Sequence, residues 1–177
     1  MTAPGQDPVA AVILGTGRAL ELEVKAVLEL LGGTVTDPEP GRDDWRVAFP
    51  EGEAVVEVKG VKGSAAEKHG AQLEKWVSGA YEANGVMPKG ILVVNTWRET
   101  PLAERTQADF PDQMLPYCKG RGHSLITGLD LFVIRADIEA DATRVEHWRS
   151  EILSASGRLI GVPHWKNVIT QTTAEED

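Results

Sequence analysis

In the stretch A-V-V-E-V-K-G, residues 54–60, a carboxylate and an ammonium stand two positions apart inside a run of valines. Strand side chains alternate, so Val55, Glu57 and Lys59 face one side while Val56 and Val58 face the other. Asp43 and Asp44 close a polar turn upstream, Asp44 lying thirteen residues before Glu57. If the segment between them is a hairpin, Asp44 comes to rest beside Glu57. Two converging carboxylates and the backbone carbonyl of Val58 make the oxygen-rich site that Mg²⁺ prefers, so Asp44, Glu57 and Val58 are the candidate metal ligands. Beside such a metal Lys59 could hold or deprotonate a water, or stabilise the negative charge that builds on a phosphodiester under attack. The chemistry indicated is phosphodiester hydrolysis.

The elements that must position these residues follow from periodicity. Trp45, Val47 and Phe49 alternate with Arg46 and Ala48, which predicts a strand, and residues 50–53 form a connection short enough to join it to an antiparallel partner over 54–59. Before the hairpin, apolar residues at 20, 24, 27, 28 and 31 predict a helix over 19–31 that stops at Gly32 and Gly33, with a short extended stretch at 34–36. After it, positions 69, 73, 76, 77 and 80 predict a helix within 64–81, and the run 90–97 reads as a central strand. A helix near 112–119, a strand over 123–127 and one or two helices within 130–154 complete the alternation, and 10–14 is a further short apolar run. The order implies an α/β layer fold, a central mixed β-sheet flanked by helices on both faces. The length suits one domain, residues 9–169, with 138–169 as a helical C-terminal extension; residues 1–8 and the acidic tail 170–177 are expected to be flexible.

Asp44 followed by Glu57-Val58-Lys59 on the next strand resembles the core of the PD-(D/E)xK, or restriction-endonuclease-like, nuclease superfamily. That resemblance implies a restriction-endonuclease-like core and a Mg²⁺-dependent nuclease with Mn²⁺ expected to substitute. It further implies DNA as the usual substrate, in restriction, repair or defence against foreign nucleic acid. A helix before the Asp strand often offers a Glu in such proteins, and Glu21 is the candidate here. The helix after the ExK strand sometimes carries a Gln with an aromatic residue four positions on, and Gln72 with Trp76 resembles that element, tryptophan standing where tyrosine is usual. The sequence departs from the pattern in having Asp43, not proline, before Asp44, so Asp43 is a candidate to exchange roles with it. On this reading Asp44 and Glu57 ligate the metal, Lys59 acts on the attacking water and the transition state, and Gln72 orients Lys59 or the substrate. A duplex cutter needs two sites, which points to a homodimer.

Other constellations carry less. Gly15 and Gly17 lack the remaining residues of a dinucleotide fingerprint or a P-loop, and read as a turn. His69, His123, His147 and His164 show no zinc spacing, and His69 reads as a boundary residue. Cys118 is the single cysteine, so no intrachain disulfide forms. No stretch is apolar enough for a membrane span or a signal peptide, and a cytoplasmic location is expected. The formal net charge of −9 opposes nucleic-acid binding by the whole surface. Charge is nevertheless segregated: lysines 59, 62, 68 and 75 face only Glu67 and Glu74 within 59–75, whereas the acids concentrate between 37 and 57. A nucleic-acid footprint must therefore be small, or the partner must bring more charge. The competing expectation is an inactive nuclease-like module that binds a partner protein through its acidic surface. A small-molecule enzyme built on the Gly15–Gly17 turn is the third.

Overall fold

The computed structural model describes residues 15–41 and 43–168; the apolar run at 10–14 and both termini lie outside them. Helix α1 (Gly17–Leu30) leads into β1 (Thr34–Thr36), β2 (Trp45–Phe49) and β3 (Gly52–Gly60). Helix α2 (Glu67–Asn84), β4 (Lys89–Asn95), α3 (Met114–Gly120), β5 (Ser124–Thr127), α4 (Gly128–Ala140), α5 (Val145–Ser154) and β6 (Gly157–Arg158) follow. Among the described residues the strands form one sheet in chain order, antiparallel from β1 to β3 and parallel from β3 to β6. The fold is α/β, with a mixed central sheet and helices on both faces.

The alternation in β2 and β3 divides the core as strand geometry requires. Val56 and Val58 join Trp45, Val47 and the apolar stripe of α1 (Leu20, Val24, Val27, Leu28) on one face, where α4 and α5 add Leu131, Ile134, Trp148 and Ile152. Val55 turns the other way, to Leu73, Val77 and Ala80 of α2 and Met114 and Cys118 of α3. Glu57 and Lys59 share the Val55 side, so both lie on the α2 face.

Residues 145–159 are more than a helical extension. Trp148, Ile152 and Leu159 are buried in the α1-side core, and β6 extends the sheet through bonds from Gly157 N–H to the His123 carbonyl (2.7 Å) and from Leu159 N–H to the Leu125 carbonyl (2.9 Å). β4 ends at Asn95, two residues earlier than the apolar run predicts, because Trp97 adopts a left-handed backbone (φ 51°) that a strand cannot continue through.

Candidate active site

The β2–β3 ladder ends at Trp45 opposite Val56. Where the next backbone partner would come, a side chain takes over: Asp44 Oδ2 accepts the Val58 N–H at 2.7 Å. Within a strand a residue's N–H and C=O point to the same edge, so the Val58 carbonyl faces the Asp44 edge as well. The Lys59 ammonium lies 2.6 Å from Glu57 Oε1 and 3.8 Å from Asp44 Oδ2, which brings both carboxylates to one cation. The second Glu57 oxygen, Oε2, accepts the indole N–H of Trp76 at 3.0 Å.

Burial dominates the electrostatics. It pushes the Glu57 carboxyl above its ordinary range, the Asp44 charge adding to the rise while Lys59 and Trp76 oppose it. It likewise raises Asp44, against the Val58 N–H and Lys59, with Glu21 and Asp43 reinforcing the rise. For Lys59 burial works downward, but the Glu57 hydrogen bond and the charges of Glu57, Asp44 and Glu21 outweigh it, and its pKa sits above the usual lysine value. The cluster is thus two reluctant anions sharing one firmly charged ammonium.

The other expected residues are placed unequally. Glu21 bonds Arg18 at 3.3 Å and makes no direct contact with Asp44 or Lys59, although its charge is felt by both. Its position is fixed from below, because the Trp45 indole N–H donates to the Glu21 carbonyl at 3.0 Å. The end of β3 is fixed by contact: a Cβ at Gly60 would meet Thr16 Cβ at 2.9 Å, so only glycine lets the start of α1 lie against the strand. Gln72 is half-buried one helical turn before Trp76 but makes no hydrogen bond to Lys59 among the described residues. The side chain of α2 that reaches the cluster directly is the Trp76 indole, which meets Glu57. Asp43 is placed differently from Asp44: it is buried, pairs with Arg46 Nε at 3.0 Å, and leaves Oδ1 without a hydrogen-bond partner among the described residues.

The residues set aside on sequence grounds have structural roles. His69 Nδ1 accepts the Ala66 N–H at 3.1 Å, closing the start of α2. His123 is buried and meets Glu74 Oε2 at 2.7 Å, and burial pushes the Cys118 thiol up to about 11. A second polar cluster at the carboxyl ends of β4–β6 had no sequence signal: Thr96 donates to Asp109, and Arg158 pairs with Asp130, which caps α4 through Thr127. Asp109, Asp130 and Arg158 line a cleft of about 260 Å³, in which Arg158 neutralises Asp130.

The donor set of the Asp44 cluster fits a small hard cation: two carboxylates and a carbonyl edge, all oxygen. Among the described residues no three Asp, Glu, His or Cys side chains converge, so a cation held by Asp44 and Glu57 would complete its shell with water and substrate oxygens, the habit of Mg²⁺. Among the described residues no helix is long and apolar enough to cross a membrane. No protein-family model, curated protein or solved structure matches this chain.

Proposed function

We propose that this chain is a Mg²⁺-dependent nuclease with a restriction-endonuclease-like core that hydrolyses phosphodiester bonds, DNA being the expected substrate and restriction, repair or defence the expected setting. The observation that carries the reading is the convergence of Asp44 and Glu57 on the Lys59 ammonium at the edge where β2 stops pairing. Asp44, Glu57 and the Val58 carbonyl would hold the metal, which when bound supplies positive charge at the phosphate and acidity to water. Lys59, charged at neutral pH, donates hydrogen bonds to a phosphate oxygen and stabilises the charge that develops there. The Val58 N–H fixes Asp44, and the Trp76 indole fixes Glu57, so neither carboxylate must reorganise when a phosphodiester arrives. Gln72, one turn from Trp76 on α2, would orient Lys59 or the substrate.

One observation favours an inactive binding module instead: Glu57 and Lys59 already form a closed ion pair at 2.6 Å. Calorimetric titration with Mg²⁺ separates the two readings. A nuclease binds the ion at one site and loses at least tenfold in affinity on Asp44→Asn. Absence of binding in the wild type favours the module.

A further inference from the structure

Beside the carboxylate cluster a cleft of about 540 Å³ opens between α2 and β2. Arg46, Lys75, Trp76, Gly79, Glu82 and Ala83 are among its lining residues. It adjoins the cluster at two points, since Trp76 bonds Glu57 and Arg46 bonds the neighbour of Asp44. A smaller cleft of about 160 Å³ shares Arg46 and reaches towards Glu53 and Asn84.

Three features suit an extended anion in this space. The first is charge order: Arg46 and Lys75 stand at the end nearest the cluster, and Glu82 and Glu53 stand beyond. Lys75 lies over the Trp76 ring at 4.8 Å and has no carboxylate partner among the described residues. The second is shape. Gly79 sits in the interior of α2, where glycine disfavours a helix, yet a Cβ there would meet nothing within 4 Å. Packing within the chain does not require that glycine; its effect is to keep the cleft open. The third is size. One helix and one strand enclose room for a single backbone, while a duplex presents two and would need a broad basic face that a chain of net charge −9 does not offer.

We propose that the cleft between α2 and β2 is the path of a single nucleic-acid strand leaving the Asp44–Glu57–Lys59 cluster, with Lys75 and Arg46 meeting its phosphates and Glu82 marking its end. The inference rests on the nuclease reading and narrows its substrate to single-stranded or frayed ends.

The test is anisotropy of a labelled single-stranded oligonucleotide and of the matching blunt duplex. Binding to the full chain is measured in Ca²⁺, which accepts the same oxygen ligands, across roughly 50–200 mM salt, beside a Mg²⁺ cleavage assay. The single strand should bind at least tenfold tighter than the duplex. Lys75→Gln should reduce the steepness of log affinity against log salt by about 0.7, one phosphate contact on a single strand, whereas Lys119→Gln at the far end of the sheet should not. Gly79→Lys and Gly79→Glu place opposite charges on side chains of similar reach in the cleft, and Gly79→Lys should bind the strand at least tenfold tighter than Gly79→Glu. If wild type cuts but Gly79→Lys and Gly79→Glu bind the strand equally well, or the duplex binds as tightly as the strand, the path is overturned and the nuclease reading stands. A wild type that neither cuts nor binds any nucleic acid overturns both.

Discussion

Replacing Trp76 by Phe removes the N–H that meets Glu57, together with part of the ring that packs against the α2-side core and lies under Lys75. The indole donates to Glu57 Oε2 at 3.0 Å, and the Glu57 side chain is only 4% exposed, so water cannot readily replace the lost donor. A hydrogen bond to a charged group contributes about 1.5–3 kcal/mol; because Trp76 is itself half-buried, about 2 kcal/mol at pH 7 is the expected loss. For a chain of this size that lowers Tm by roughly 4–8 °C. The effect must also depend on pH. The Trp76 bond lowers the Glu57 pKa, so its contribution is present while Glu57 is ionised and declines as pH falls through the folded-state value, which burial holds above the ordinary 4.5. With Glu57 protonated the bond becomes a neutral one of about 1 kcal/mol. Urea denaturation of wild type and Trp76→Phe at pH 7 and at about pH 4 reads both quantities. A loss equal at the two pH values would show that Trp76 acts by packing alone and would refute the site geometry.

Further outcomes follow from the same structure. Because Asp44 and Glu57 are both raised by burial, Mg²⁺ affinity measured by calorimetry should fall as pH drops through a midpoint above the ordinary carboxylate range; a midpoint at the ordinary value contradicts the burial argument. Gly60→Ala should cost about 1–3 kcal/mol in urea denaturation, because the new methyl overlaps Thr16 and forces the start of α1 off β3; an unchanged midpoint denies that contact. Cys118, fully buried with its thiol pushed up to about 11, should react with a disulfide reagent only as fast as the protein opens. Reaction at the rate of a free thiol in the folded protein would contradict that placement.

The parts of this architecture that the sequence discloses are those governed by local period. Val55, Glu57 and Lys59 do face away from Val56 and Val58, and the stripe at 20, 24, 27 and 28 does bury α1 against the sheet. Residues whose place depends on distant partners were not legible. Gly157–Arg158 has no strand-forming composition and is a strand because β5 offers its backbone groups. Asp43 and Asp44 are alike as letters; a ladder that stops at Trp45 leaves the Val58 N–H for Asp44, while Arg46 claims Asp43. Gln72 and Trp76 share a helix face, and only the position of α2 over β3 decides that the indole, not the amide, reaches Glu57. The cleft beside them arises from the same placement, since α2 covers β3 but leaves Arg46 of β2 open.

The joint action of Asp44, Glu57 and Lys59 on a phosphodiester is what the proposed function requires. Its most direct test is incubation of plasmid, linear duplex, single-stranded DNA and RNA with wild type and Lys59→Ala, in Mg²⁺, Mn²⁺ or EDTA. The wild type should cut at least one substrate in a metal-dependent way, and the rate should fall at least a hundredfold in the variant, about the 2.7 kcal/mol that one well-placed charge supplies to a transition state. Equal behaviour of the two proteins on every substrate would contradict it.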